Sequence, residues 1–502
     1  MIISEVPPIR SGISQVARRL KSGLEMYGDQ VDLLSLSEIP RLALGEFRFS
    51  SMAWKAPHLL RPRLADYDII HIHGPVPTFS DVALLFSALP VGRPGPVVFY
   101  THHSEIDLHG LGLLCDIYNR LHKQLARLAD QVIVTTPAYA RNLRRYIPED
   151  RIAIVPWGVA ADWYSGQRPK AERFTVLFVG QMRPYKGLDI LLDAIARLPD
   201  VELQIVGGGH QESRYRAMAA DRHLDNVAFL GKLDDLALFD TFSAAHVLVL
   251  PSTTRAEAFG LVLLEGMVAG CVPVVSDLPG VTDVVGDAGL SFPVGDAAEL
   301  AGALALLRDN IELRTQLSHR AQLRAHSYSW QRTIHWHRAL YARVESLRRF
   351  DRALTRGPLQ DGALDALLQD TVTTLGASAG SIMLLDQSEG LLHMRAAAGL
   401  SDEARQNGRQ ALGDGIAGFV ALHNTPLMIP GGLGQAGDDP RQFVRRMHIH
   451  SALSVPIRSA RRGMLGVFNL SSYEQEHRFN DDDLSWLASL ALRAGKIMSE
   501  RR

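Results

Sequence analysis

The sequence predicts two doubly wound α/β domains followed by a smaller α+β module. Three observations predict it. Short β-rich runs alternate with helical stretches over residues 1–163, the same alternation restarts at residue 174, and paired strands flanked by amphipathic helices take over after about residue 352. The bounds read as 1–163, 164–350 and 351–502. A chain of 502 residues, 46% hydrophobic, has the length for roughly three packed cores.

The first domain's strands are read at DIIHIHGP (68–75), GPVVFYTHHS (95–104), DQVIVTTPAY (130–139) and RIAIVPWGV (151–159). Buried strands between helices imply a parallel sheet covered on both faces. The opening run, MIISEV before a Pro pair, is very short, and reads as a clipped start or a frayed edge. The second domain's strands are FTVLFVG (174–180), VELQIVGGG (201–209), NVAFLG (226–231), HVLVLPS (246–252) and CVPVVSD (271–277). With no long linker between them, two such sheets can face each other across a cleft, and ligands of open sheets bind beyond the strands' carboxyl ends. An Arg-rich helical stretch follows SYSW (327–330). In the last module, SIMLLDQSEGLLHMRAAAG (381–399) reads as two strands around a turn, and SALSVPI (451–457) with GMLGVFNLSS (463–472) as another pair. Residues 361–375 and 481–498 are its amphipathic helices, the second capped by Asn480 or Asp481.

Composition narrows the function classes. The formal net charge of −1 gives a nucleic-acid partner no global electrostatic support. Cys115 and Cys271 stand far apart in apolar segments, which excludes a disulfide framework or a multi-Cys metal site and suits a reducing, cytoplasmic compartment. The N-terminus lacks the plan of a signal peptide, and no apolar run approaches the roughly 18 residues needed to span a bilayer. Any membrane contact is then peripheral. Residues 41–63 invite it by mixing Arg41, Arg48, Lys55, Arg61 and Arg63 with Phe47, Phe49 and Trp54, although a solvated loop with a few buried aromatics fits equally.

The chemistry concentrates in RAEAFGLVLLEGMVAG (255–270), where Glu257 and Glu265 have seven residues between them, five of them large and apolar. A carboxylate in that surround loses hydration on folding unless a partner waits. Glu257 is expected in the loop after a strand and Glu265 about two turns into the next helix. The unpaired N–H groups of Phe259, Gly260 and Leu261 then form an anion site at the helix start. The competing reading is an amphipathic helix with one exposed and one salt-bridged Glu. In VLFVGQMRPYKGLDILLDAI (176–195), Arg183 and Lys186 sit at a strand's carboxyl end, where paired hydrogen bonds and a compact charge suit a diphosphate. His71 and His73 in HIHGP have metal-like spacing, but two histidines make a poor site, and His73 reads better as lining the acceptor side of the cleft.

FVGQMRPYKG, VGGGH, FLGKLDD, EAFGLVLLE and CVPVVSDLPGV occur in that order. Through them residues 1 to about 345 resemble a two-domain, GT-B type glycosyltransferase of family four, retaining enzymes with two Rossmann-like domains that use nucleotide-sugar donors. The resemblance implies that Glu257 contacts the donor sugar, Glu265 binds the ribose hydroxyls, and Arg183 and Lys186 neutralise the leaving diphosphate. It places the Leu233 backbone near the base, Gly12 of VPPIRSG in the loop over the donor phosphates, and His103 of FYTHHS at the active-site histidine, with His102 adjacent. Breaking the sugar–phosphate bond builds negative charge on the diphosphate and positive charge on the anomeric carbon, so cations and amides meet the first and a carboxylate or carbonyl the second. No metal or other cofactor is then obligatory. Gln181 stands where many relatives carry Arg, so Arg183 is expected to supply that charge. The implied partners are a nucleotide-sugar donor and a saccharide or lipid-linked acceptor, in cell-surface or exopolysaccharide glycan synthesis.

SIMLLD, AAAGL, GDGIAGFVALHNTPLMI, SALSVPI and GVFNLSS give residues 360–500 a resemblance to a GAF domain, with GDGIAG (413–418) as a glycine-rich turn feeding a helix over the pocket. No cysteine is there to hold a bilin. His393, His423, His448 and His450 offer haem ligation in principle and surface or polar-core histidines in the ordinary case. A small ligand, dimerisation and docking stay open as its role. The contrasting reading for the whole chain is a catalytically weak nucleotide-sugar-binding signalling protein with the GAF domain as sensor.

Overall fold

The computed structural model describes residues 1–3, 12–35, 41–44, 47–50, 66–87, 95–107, 111–160, 169–355, 361–429, 449–474 and 478–500. Residues 4–11 of the loop before Gly12, together with Trp54, Lys55, Arg61, Arg63 and His448, lie outside them, and for 41–44 and 47–50 the backbone alone is described. Residues 1–337 and 338–502 form separate compact units.

The first unit holds two parallel six-stranded sheets. In the first, β1 (Ile2–Ile3), β2 (Leu34–Ser35), β5 (Ile69–Gly74), β6 (Val97–His102), β7 (Gln131–Val134) and β8 (Ile152–Ile154) take the order β2-β1-β5-β6-β7-β8. Strands β3 (Arg41–Leu44) and β4 (Phe47–Ser50) instead pair as a separate antiparallel hairpin, so part of the segment read as a surface loop is strand. The second sheet comprises β9 (Thr175–Val179), β10 (Glu202–Val206), β11 (Val227–Gly231), β12 (Val247–Leu250), β13 (Val272–Ser276) and β14 (Leu290–Phe292), in the order β11-β10-β9-β12-β13-β14. Both orders reverse direction beside their first-formed strand, leaving a crevice at the carboxyl ends. The short strand β14 pairs only by three residues and carries no periodicity long enough to read from sequence.

Burial follows the patterning. Every residue of β6, β7, β12 and β13 is buried, as expected for strands covered on both faces. One core of the second sheet gathers Leu264, Met267 and Val268 with Val16 and Trp157 from the first sheet's side, so the two halves share apolar packing. The chain crosses between the halves twice. Val159 N–H donates to Tyr328 C=O at 2.8 Å, and Thr333 Oγ1 donates to Pro156 C=O at 2.9 Å. The helix Trp330–Thr355 then carries the chain into the second unit.

The second unit is an antiparallel sheet of β15 (Ala379–Asp386), β16 (Leu391–Ala398), β17 (Arg409–Ala411), β18 (Leu427–Ile429), β19 (Ser451–Ser459) and β20 (Gly463–Ser472), in the order β17-β16-β15-β20-β19-β18. Helices Asp361–Thr374 and Asp481–Glu500 pack on one face through Leu364, Leu368, Leu487 and Leu490. Helix Gly415–His423 covers the other through Ala417, Val420 and Ala421. Asn480 is the cap of the last helix, its Oδ1 accepting from Asp482 N–H at 2.8 Å and from Asp483 N–H at 3.2 Å.

Leu264 is wholly buried where the helix Leu261–Val268 meets the second sheet. Leu264→Ala should cost about 3 kcal/mol of first-unit stability, read as a lower urea midpoint for that transition. An unchanged midpoint would contradict this packing.

Candidate active site

Strand β9 ends at Val179, and residues 180–187 form a loop whose last turn is the 3₁₀ segment Pro184–Lys186. Thr253 N–H donates to Tyr185 C=O at 2.8 Å, docking this turn on the loop after β12. Gly187 makes the approach feasible, since it has φ of 66° and a Cβ there would lie 1.9 Å from Pro251 O. The docking brings Lys186 Nζ onto the Glu257 carboxylate, which also accepts from Ser252 Oγ at 3.2 Å. The pair is largely shielded from solvent, with side chains 14% and 11% exposed. Burial opposes the Lys186 charge, but Glu257 and the Tyr185 ring's oxygen outweigh it and hold the ammonium above its ordinary pKa.

Gly260 caps the helix Leu261–Val268 in a left-handed conformation, with φ of 71°. A side chain there would meet Leu250 and Leu263, each at 2.9 Å. Among the described residues the N–H groups of Phe259, Gly260 and Leu261 donate no hydrogen bond, so three main-chain donors open at the start of the helix. Gly12 borders this end, a Cβ on it lying 3.7 Å from Leu261 Cδ1. Glu265 is the fifth helical residue, so it stands just over one turn in, where two turns were expected. It is half-buried, and its carboxylate has no hydrogen-bond or ion-pair partner among the described residues. Burial, aided by the Asp235 carboxylate and opposed by Arg19, pushes its pKa up to about 7. Leu233 packs partly buried against the same core, directly before Asp234, the N-cap of the next helix.

Arg183 is exposed, and its Nε donates to Gln181 Oε1 at 2.9 Å. Gln181, the residue that replaces the expected arginine, therefore tethers the neighbouring guanidinium.

On the first sheet, pleating sends His102 and His103 to opposite faces. His103 pairs with His73, Nε2 to Nδ1 at 3.0 Å, and stacks on Trp157 at 5.6 Å. Burial lowers its pKa to about 4, so the ring is neutral near pH 7, and its Nδ1 has no partner among the described residues. His71 and His73 stack 4.3 Å apart and are both pushed well below the usual range, first by burial and then by nearby positive groups, His337 for His71 and His71 for His73. His71 Nε2 bonds Thr101 Oγ1 at 2.6 Å, which spends the nitrogen on the fold. His102 faces Tyr100, whose hydroxyl lies 3.2 Å from its Nδ1, and its buried Nε2 has no partner among the described residues.

Sequence reasoning missed the groups that tie the halves together. Tyr139 OH donates to Arg255 C=O at 2.9 Å, and Ala138 N–H donates to Asp283 Oδ2 at 2.7 Å. Glu105 takes Lys123, accepts from Asn142 Nδ2 at 2.6 Å, and meets Arg255 Nη1 at 3.6 Å. Burial would raise the Glu105 pKa, yet these donors hold it below the usual carboxylate value. Only the placement of Glu105 two residues after His103, and of Arg255 two before Glu257, hinted at this. An Asp-x-Asp spacing occurs at Asp66 and Asp68, but it precedes β5 and so lies at the sheet's opposite, amino edge.

In the second unit, His393 bonds Glu389 at 3.0 Å, His423 lies 4.3 Å from the Phe419 ring, and His450 precedes β19. Asp386, Glu389 and His393 bring ligand atoms within 4.8 Å of one another at an exposed turn. No described helix is long and apolar enough to cross a membrane.

Comparison with known proteins agrees with this architecture. The family model "Glycosyltransferase Family 4" matches residues 10–163, "Glycosyl transferases group 1" matches 163–324, and "GAF domain" matches 361–498. The O-antigen chain mannosyltransferase C of Escherichia coli is 33% identical over 286 residues, spanning 52% of this chain and 74% of that protein. The phosphatidyl-myo-inositol mannosyltransferase of Mycolicibacterium smegmatis is 34% identical over 278 residues, spanning 53% of this chain and 68% of that one. The fold matches that of sucrose-phosphate synthase from Thermosynechococcus elongatus with a TM-score of 0.57 and 23% identity, over 68% of this chain and 97% of that one. The two parallel sheets of the first unit, and the antiparallel sheet that follows them in the chain, thus belong to a glycosyltransferase of the group 1, family 4 type joined to a C-terminal GAF domain.

Proposed function

We propose that the first unit transfers a hexose from a nucleoside-diphosphate sugar to a saccharide or lipid-linked acceptor with retention at the anomeric carbon, in cell-surface or exopolysaccharide glycan synthesis. One observation carries the reading: Lys186 and Glu257 are held together, shielded from solvent, in the loops beside three unengaged main-chain donors. A diphosphate satisfies Lys186 and the amides of Phe259, Gly260 and Leu261, while sugar hydroxyls donate to Glu257. Arg183 reaches the diphosphate only by leaving Gln181. Glu265 takes the ribose hydroxyls, the Leu233 backbone borders the base, and Gly12 begins the helix that faces the phosphates. His103, neutral and with Nδ1 open, meets the sugar as a hydrogen-bonding partner. The bond to the acceptor oxygen forms on the face from which the diphosphate leaves. Charge on the leaving group is met by protein cations and amides, so no metal is required in this scheme. The mannosyltransferase relatives favour a hexose donor of that kind. The GAF domain is proposed to tune activity or pair chains, and the enzyme to work in the cytoplasm in peripheral contact with a membrane.

Glu257→Gln keeps the side chain's size and should lower transfer at least about a hundredfold while donor still raises the melting temperature. A panel of UDP-, GDP- and ADP-sugars read by thermal shift identifies the base. Donor binding by the wild type with neither transfer nor hydrolysis would instead support a binding protein that has lost catalysis.

Glu265 sets a pH dependence. Its native pKa of about 7 lies above the roughly 4.3 of an unfolded glutamate, so the stability contributed by its protonated form is present at low pH and lost as pH rises between those values. Glu265→Gln should match the wild type at pH ~4 and melt higher at pH ~8. Parallel melting curves at both pH values would refute the assigned shift.

A further inference from the structure

Glu257 belongs by sequence to the second sheet, yet the loop that carries it takes part of its support from the first. Tyr139, in the helix Pro137–Leu143 that follows β7, donates its hydroxyl to Arg255 C=O at 2.9 Å, two residues before Glu257. Ala258, one residue after Glu257, is buried in the first sheet's apolar core together with Tyr139 and Ala140. Gly280 shows how close the approach is, since a Cβ there would lie 2.2 Å from Ala258 O and 2.9 Å from Tyr139 Cε2. The Arg255 side chain is held as well. Its Nη1 meets Glu105 Oε2 at 3.6 Å, and Glu105 is itself fixed by Lys123 of the helix Gly112–Leu125 and by Asn142 Nδ2 at 2.6 Å.

The two halves thus hold different parts of one loop. Lys186 and Ser252, from the second half, hold the Glu257 carboxylate, and Thr253 N–H on Tyr185 C=O docks the start of the loop. Past that point the loop's own bonds are local, from Ala256 N–H to Thr254 Oγ1 at 3.3 Å and from Glu257 N–H to Thr254 C=O at 3.2 Å. Bonds internal to a turn fix its shape and not its place. The Tyr139 hydroxyl, on a ring only 5% exposed, ties the turn to a rigid core. The pair with Lys186 would survive a small shift of the turn, because the ammonium rides on a flexible stem. Alignment of the carboxylate to a bound ligand would not, and a displacement of about 1 Å costs on the order of a hundredfold in rate.

We propose that Tyr139, with Glu105 supporting it through the Arg255 guanidinium, is a positioning residue for Glu257, so that the half supplying His103 also sets where the other half's carboxylate stands. The effect on rate rests on the transferase reading above, whereas the anchoring of the loop does not. The same helix makes a second bond across the halves, from Ala138 N–H to Asp283 Oδ2 at 2.7 Å, which does not touch the Glu257 loop. That bond separates positioning from simple attachment.

Tyr139→Phe in the full chain removes the hydroxyl and keeps the ring. Its kcat for hydrolysis of the nucleotide sugar that most raises the wild-type melting temperature should fall at least about tenfold, with KM for that donor within about twofold. Amide hydrogen exchange at Ala256 and Glu257 should quicken at least about tenfold in this variant, while the helix Leu261–Val268 exchanges as before. Asp283→Ala should leave kcat within about twofold of the wild type and the two loop amides unchanged. Arg255→Ala, which keeps the carbonyl that Tyr139 bonds, should quicken the same amides to a smaller extent, and unchanged amides there would remove Glu105 from the proposal. An equal loss of kcat in Tyr139→Phe and Asp283→Ala, or wild-type exchange in Tyr139→Phe, overturns it. So does a raised donor KM with kcat kept, which would place the hydroxyl in donor binding. A wild type that binds donor and turns none over removes the transferase reading, and exchange at Ala256 and Glu257 then decides the role of Tyr139 by itself.

Discussion

The first unit is organised around a cation and an anion that have little besides each other. Lys186 arrives on a 3₁₀ turn from one loop and Glu257 on the next, and neither keeps the hydration it would have at the surface. A shielded pair of this kind is a weak source of stability, because desolvation offsets most of the Coulomb attraction. Its value lies in placement. The two β-strands, the Gly187 approach to Pro251 and the Ser252 hydroxyl all serve to hold two opposite charges beside a helix start whose amides are already pointed outward. A ligand carrying both anionic oxygens and hydroxyl donors can divide the pair between its own groups, so the protein need not create new charged positions when it binds.

Much of this was legible in the residues. The parallel strands announced themselves because doubly covered strands must be apolar along their whole length, and FTVLFVG and HVLVLPS have no other soluble explanation. The positions of Glu257 and Gly260 followed from a loop feeding an apolar run. The depth of Glu265 was overestimated because the helix begins only at Leu261, after a left-handed Gly260 that pattern alone does not locate. The Arg41–Ser50 hairpin escaped notice because its alternation is carried by basic and aromatic residues that also characterise interfacial loops. Long-range polar contacts such as Glu105 with Arg255 have no sequence periodicity at all, and only the assembled sheets reveal them. The pairing of Arg183 with Gln181 was equally hidden, although each residue had been singled out.

The helix Gly112–Leu125 makes a related point about amphipathicity. Periodicity tells which residues share a face, and it is silent on which face turns inward. Here His122 hydrogen-bonds Asp81 and Lys123 pairs with Glu105, so the side with polar partners is the one that is buried.

The doubled crossing at Val159–Tyr328 and Pro156–Thr333 has a mechanical corollary. Because the described ends of the two links, Pro156–Val159 and Tyr328–Thr333, lie side by side, any turning of one half against the other would pivot at that point with each sheet kept whole. The farther a group lies from that pivot, the longer the arc such a turn would give it. The bonds from Tyr139 to Arg255 and from Ala138 to Asp283 would be the latches released first.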